Sequence, residues 1–446
     1  MSRFISRREF LAGAASIGLV GLNRSSAARL LTPTLSLLPF LSRPTTGSIV
    51  INARNGHRAS TGHVQIRAAG EQEWSDPLVE ASADPGAFYW WHIDGLSPDS
   101  DYEYRVRLAH SGGEPARVSA GRFTTQRTNE SSFVASLITD AHTGSFTDGQ
   151  APIQVLDDVV RNVRADQPDF VLALGDNVAW RTSRNEPQTD GFGAERAYDL
   201  YRKHLGPLTM NSPHFGLIGN WEGESGKLPA NSIETVSAVR HRFTPGPNAS
   251  TYVQGGSDNE DYYAFGWGPA LFVVLNVQSY TRPSGEAPSA RDDVSVVEDW
   301  TLGEEQFAWA ERTLAASDHP FKFVCCHHAV AGAAGNESET LYGRGGAQAA
   351  HVGEQARLHE LMLEYGVQVF FYGHDHVFVD DVVDGLHYAM PGSAGAPWHF
   401  GREVTGYSRF WPESGHARLE VRPEAATVQY LSLSGRVFHE FGVLPG

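Results

Sequence analysis

Five apolar runs, each breaking off in a short polar cluster, constrain this chain more than any other feature. Residues 133–139 end at Asp140-Ala141-His142, and 170–174 at Gly175-Asp176-Asn177. Residues 214–218 end at Gly219-Asn220-Trp221-Glu222. Residues 321–326 run into His327-His328, and 367–372 into Gly373-His374-Asp375-His376. Helical patterns at 153–164, 304–315 and 356–365, a further strand at 270–277 and strands over 417–446 complete the series. Strands alternating with helices predict an α/β layered domain. In open α/β sheets, ligands bind just beyond the carboxyl ends of strands. Each cluster offers Asp, Asn or His, the donors that Zn, Fe and Mn favour. Gly175, Gly219 and Gly373 let the chain turn sharply there. A single His-x-His carries little weight, because on a strand it places two rings on one surface. Polar caps of strand-to-helix turns explain the Asp and Asn residues but not the clustered histidines, so the series points to a metal site.

The first part of the chain follows another pattern. Short strands at 48–53, 63–68, 88–93, 102–108 and 119–124, punctuated by turn residues, predict a β-sandwich over 48–127. Its stretch Gly95-Leu96-Ser97-Pro98-Asp99-Ser100-Asp101-Tyr102-Glu103-Tyr104-Arg105-Val106 resembles a fibronectin type III segment in which a tyrosine locks a corner against the upstream backbone. Gly121-Arg122-Phe123-Thr124-Thr125 resembles that domain's closing strand. The module carries no catalytic constellation, so its expected work is support or docking. Ahead of it, residues 1–28 resemble a twin-arginine (Tat) export signal: Arg7-Arg8, Phe10-Leu11, a weakly apolar stretch at 12–22, and small residues at Ser26-Ala27-Ala28. That resemblance implies the Tat export machinery as a partner and a periplasmic or extracellular location. Residues 29–47, broken by prolines, are expected to be a linker without a fold of their own.

Composition narrows the partners. Lys+Arg number 35 against 52 Asp+Glu, a net charge of −17, which repels phosphate backbones and leaves nucleic acid an unexpected ligand. Beyond the signal no apolar run approaches the roughly 18 residues that span a bilayer, so no membrane span is expected after signal removal. The two cysteines, Cys325 and Cys326, are adjacent, which excludes a disulfide framework and fits small buried strand residues.

The ordered series Asp-x-His, Gly-Asp, Gly-Asn-x-Glu, His-His and Gly-His-x-His resembles the calcineurin-like metallophosphoesterases, which include purple acid phosphatases and cyclic-nucleotide phosphodiesterases. The likeness covers 132–446. It extends to Leu302-Gly303-Glu304-Glu305-Gln306-Phe307-Ala308-Trp309 and to Gly392-Ser393-Ala394-Gly395. It implies a four-layer αββα sandwich, two mixed sheets between helical layers, preceded by the all-β fibronectin type III-like sandwich. It also implies two metal ions (Fe, Mn or Zn) at the sheet edge. Asp140, His142 and His376 correspond to ligands of the first metal, Asp176 to the bridge, and Asn220, His374 and one of His327 or His328 to ligands of the second. His327 is favoured, because the family's His-His turn puts its first histidine at the metal. Two cations would then ionise a shared water and neutralise charge in an in-line displacement. The implied activity is hydrolysis of a small phosphate monoester, with a phosphodiesterase or a degenerate non-catalytic binding protein as alternatives.

Three departures from the family stand out. Trp221 occupies the place of a histidine that contacts phosphate and assists the leaving group; it forms either a stacking wall or plain packing. His214 and His351 are other histidines that can take up the acid's duty. Ala179 replaces the tyrosine of the purple enzymes, so no tyrosinate–iron colour is expected. In the Gly-rich stretch Tyr342-Gly343-Arg344-Gly345-Gly346, Arg344 is either a bidentate phosphate clamp or a solvated loop arginine. Asn177, Glu222 and Asp375 are candidates for orienting the ligands.

Overall fold

The computed structural model of the chain describes residues 38–54, 60–83, 86–110, 117–144, 151–179, 191–222, 230–277, 301–328, 353–396 and 407–446. The stretch 1–28 with its resemblance to an export signal, His351 and the loop of Arg344 lie outside them. Seven strands come first: β1 (Phe40–Ser42), β2 (Ser48–Arg54), β3 (Ser60–Ala68), β4 (Leu78–Ala83), β5 (Phe88–Asp94), β6 (Asp101–His110) and β7 (Arg117–Thr124). They form two antiparallel sheets, β1-β2-β5 and β4-β3-β6-β7. Alternate residues point inward, so Ile49, Ile51, Trp91 and Ile93 of one sheet meet Val64, Tyr104, Val106 and Phe123 of the other. The Tyr102 hydroxyl accepts the Ser97 N–H at 2.8 Å, the expected corner lock.

The stretch expected to be an unfolded linker instead contributes β1. Phe40 and Leu41 are buried, and Pro39 and Pro44 bracket a strand that lies at an edge of its sheet, where a missing N–H does no harm. This strand keys the sandwich to the later part of the chain. Arg202 is buried and gives hydrogen bonds only to neutral oxygens: the Asn52 side chain at 2.5 Å, and the carbonyls of Phe243, Leu38 and Asn52 at 2.7, 3.2 and 3.3 Å. Its guanidinium also lies over Phe40 and Phe88. Tyr104 donates to the Met210 carbonyl at 2.8 Å and Tyr252 to that of Pro44 at 2.6 Å. Accordingly, residues Leu35–Gly446 pack as one unit.

Among the described residues, two sheets and five helices make up the remainder. The elements are β8 (Phe133–Ile138), α1 (Ala151–Asp166), β9 (Phe170–Ala173), α2 (Gly191–Thr209), β10 (His214–Gly216), α3 (Ala230–Phe243), β11 (Tyr263–Trp267), β12 (Ala270–Val274), α4 (Gly303–Ala315), β13 (Phe321–Cys325), α5 (Gly353–Glu364), β14 (Val369–Phe371), β15 (Phe378–Val383), β16 (Leu386–Pro391), β17 (Phe410–Trp411), β18 (Gly415–Arg422), β19 (Ala425–Ser432) and β20 (Val437–Val443). The first sheet has the order β10-β9-β8-β18-β19-β20 and the second β11-β12-β13-β14-β16-β15-β17. Strands β8, β9 and β10 are parallel, as are β12, β13, β14 and β16.

The apolar runs are continuous because each strand is buried on both faces. Phe170 and Leu172 of β9, Phe272 of β12, Phe323 of β13 and Phe371 of β14 fill the space between the sheets. Their neighbours point outward: Val171 and Ala173 meet α1, α2 and α3, while Val273, Val324 and Phe370 meet α4 and α5. The layers run α-β-β-α, as the resemblance implied. Cys325 faces the inter-sheet core and Cys326 the helical layer, and both are free and buried. Burial pushes the Cys326 thiol up to about 12, which makes it inert. Replacing Arg202 by Met removes the donor from three buried acceptors and a half-buried one and should cost ~3 kcal/mol or more; the check is a lowered midpoint of denaturant unfolding.

Candidate metal centre

The parallel strands of both sheets deliver their carboxyl ends to one edge. Asp140 follows β8, Asp176 follows β9, Asn220 follows β10, His327 follows β13 and His374 follows β14. The turns that carry them are strained. Asp140, His142, Asp176, His374 and His376 all have positive φ, between 47° and 82°. Each such non-glycine residue costs on the order of 1–3 kcal/mol and persists only where its surroundings enforce it. Backbone hydrogen bonds supply that enforcement: Asp140 N–H to the Gly175 carbonyl, His142 N–H to that of Asp176, and Gly373 N–H to that of His327. Glycines make the approach possible. A Cβ on Gly219 would lie 2.3 Å from Asp176 Oδ1, and one on Gly373 would lie 2.1 Å from Thr139 Oγ1.

The side chains converge in two groups that share one member. Asp140, His142, Asp176 and His376 bring donor atoms within 4.8 Å of one another, and so do Asp176, His327 and His374. All are buried. His142 Nε2 lies 3.3 Å from Asp176 Oδ2 and 3.6 Å from Asp140 Oδ1; His376 Nε2 lies 3.2 Å from Asp140 Oδ1. His327 Nε2 is 3.3 Å from Asp176 Oδ2. Its other nitrogen, Nδ1, donates to the Leu174 carbonyl at 2.7 Å, which fixes the tautomer and turns Nε2 toward the carboxylates. His328 stands in neither group; its buried ring packs 5.0 Å from His327 and 4.5 Å from His374. Asn220 is buried between Gly219 and Trp221, and the Trp221 N–H donates to Asp176 Oδ1 at 2.8 Å.

The electrostatics ask for a cation. Burial alone would raise the Asp140 carboxyl, but His376, His142 and His327 outweigh it and hold it well below the usual range. Burial opposes protonation of His142 and His327, yet the carboxylates pull them up to about 8 and about 9. Asp140 Oδ1 and His142 Nε2 are enclosed without a hydrogen-bond partner. Oxygen and nitrogen donors, aimed inward and unsatisfied, fit a metal site.

Neighbouring groups hold this cage in shape. Asp140 Oδ2 accepts from the His374 N–H at 3.0 Å and the Thr139 hydroxyl at 2.8 Å. Glu222 accepts the N–H groups of Asp176, Asn177 and Gly219 at 3.0, 2.7 and 2.7 Å, pinning two strand ends together. Asn177 reaches the Leu217 carbonyl and accepts from Tyr201. Tyr407 donates to Asp375 Oδ2 at 2.5 Å, and its own segment is clasped by Asp381 through the N–H groups of Ser408 and Arg409. Sequence reasoning missed Tyr201, Thr139 and Tyr407; only position in space distinguishes them from other polar residues. It also offered His214 as an acid. Burial, reinforced by Arg202, pushes His214 down to about 3, so the ring stays neutral and is no general acid. Ala179 is buried where its N–H pairs with the Thr143 carbonyl.

Residues 137–378, more than half of the chain, match the family described as Calcineurin-like phosphoesterase. The chain belongs to that family. It is a metal-dependent phosphoric ester hydrolase. Two solved structures share the family's fold over nearly the whole chain. The purple acid phosphatase PPD1 from yellow lupin (Lupinus luteus) seeds aligns with a TM-score of 0.64 at 14% identity, covering 92% of this chain and 74% of its own. PhoD aligns with a TM-score of 0.66 at 14% identity, covering 95% and 90%. No curated protein matches the chain in sequence. For this phosphoesterase, metal uptake should release protons from His327 and His142, and affinity should fall as pH drops through about 9 and then about 8; calorimetry in buffers of different ionisation enthalpy reads both. Tyr407→Phe removes one hydrogen bond from the Asp375 carboxylate and should weaken metal binding by ~10-fold or more, measured by competition with a chelator.

Proposed function

We propose that this phosphoesterase is an exported enzyme that holds two metal ions and hydrolyses small phosphate monoesters. One observation carries the binuclear reading: Asp176 belongs to both groups of donors. In this reading Asp140, His142 and His376 would hold the first ion, Asn220, His327 and His374 the second, and Asp176 would serve both. A pair of such ions supplies Lewis acidity that ionises water near neutral pH and neutralises phosphoryl charge. The chain's own residues hold and shape the site. Asp176 and Asp140 offset the like charges that would otherwise repel. Asn220 completes the set without adding negative charge opposite a phosphate. His327 is held in one tautomer by Leu174, and Glu222 keeps the Asp176 and Gly219 turns in contact. Arg344 enters as a clamp on a phosphate oxygen, with a raised KM expected for Arg344→Ala.

Export through the Tat machinery rests on Arg7-Arg8 and the apolar stretch after them. No helix among the described residues is long and apolar enough to cross a membrane. The net charge of −17 turns the substrate toward small organic phosphates and away from nucleic acid. Diesters are the second class. The intact donor set counts against a degenerate protein.

The test combines metal analysis with rates on an aryl phosphate and the matching bis-aryl diester. Two ions per chain and a faster monoester rate are expected, and chelation should abolish both rates. Asp176→Asn should lose both ions together with more than about 10²-fold of the activity. A metal-replete, active Asp176→Asn protein overturns the shared-carboxylate assignment.

A further inference from the structure

The five strand-end clusters contain sixteen residues, and fifteen of them are buried. The exception is Trp221, which is half-buried. Its indole stands 5.3 Å from the His142 ring, tilted by 54°, beside the group formed by Asp140, His142, Asp176 and His376. Its main chain has little freedom. The Trp221 N–H is bound to Asp176 Oδ1, and the next residue, Glu222, is anchored on three backbone N–H groups. The indole is thus fixed to the same carboxylate that joins the two donor groups. A phosphoryl group seated on the cage directs its ester oxygen away from these buried donors. Among the cluster residues only the Trp221 indole is left partly exposed to meet the organic part of an ester held at the cage.

We infer that Trp221 is a specificity-determining wall of this site, and that it favours phosphate esters whose organic group presents a flat aromatic face. This rests on the phosphoesterase reading above. Alkyl groups gain only burial against an indole. A ring gains in addition the preferred geometry of an aromatic pair, which is worth about 2- to 10-fold in affinity.

The test uses two non-hydrolysable probes, phenylphosphonate and methylphosphonate, titrated calorimetrically into the metal-loaded full-length protein. Phenylphosphonate should bind more tightly than methylphosphonate by at least about 2- to 10-fold, the aromatic share, with the larger buried area of the ring added to it. Trp221→Phe should keep most of that ratio. Trp221→Leu, which preserves apolar bulk without a π-face, should lower it by about 2- to 10-fold, the aromatic share alone; Trp221→Ala is the second variant. A wild-type ratio near one, or a ratio unchanged in Trp221→Leu, overturns the wall while leaving the phosphoesterase reading in place. Failure of both phosphonates to bind removes that reading and the wall together.

Discussion

Two carboxylates, Asp140 and Asp176, are buried side by side, and four histidines face them. Taken from water separately, each charge would be costly. Together they create a region that draws positive charge, either protons on His142 and His327 or metal ions in their place. The rest of the fold can be read as the support this arrangement needs. Five left-handed residues and two crowded glycines crease the backbone, and parallel strands from two separate sheets bring the creases together.

Support of that kind is expensive in conformational terms, and the architecture offsets it by burying nearly every side chain of the inner strands. The inter-sheet core is built largely from aromatic rings: Phe170 touches Phe133, Phe215, Phe265, Trp267 and Phe272. A rigid core of this density lets strand ends hold strained turns without drifting. Hydrogen bonds from Glu222, Thr139 and Tyr407 then set the finer positions.

Much of this is legible in the chain itself. The strand ends can be read because a run of Phe, Val and Leu breaks off at an ionisable residue, a change of chemistry within one position. An α/β layered domain follows from the alternation of such runs with helical periods, and its α-β-β-α order from the family resemblance. What escapes notice depends on distance in space. Helix α2 shows apolar Ala194, Ala197, Tyr198, Tyr201, Leu205 and Leu208 at helical spacing, but Gly191, Gly193, Gly206 and Pro207 obscure it. Phe40–Ser42 lies among prolines and becomes a strand only because β2 offers it a partner. His214 reads as a proton carrier until its burial is known. The preference for His327 over His328 comes from a family pattern; the placement of His327 among the donors rests on a backbone carbonyl, that of Leu174, about 150 positions away.

The seam made by β1 and Arg202 bears on how such a protein can be recombined. Two modules joined by a loose tether can be exchanged like beads. Here Leu38, Phe40, Pro44 and Asn52 belong in practice to the hydrolase half, since they complete its buried guanidinium and cap its tyrosine. A chimera that swaps the sandwich but not these four residues inherits an open wound in the catalytic half, and a fragment beginning at β8 starts life with it.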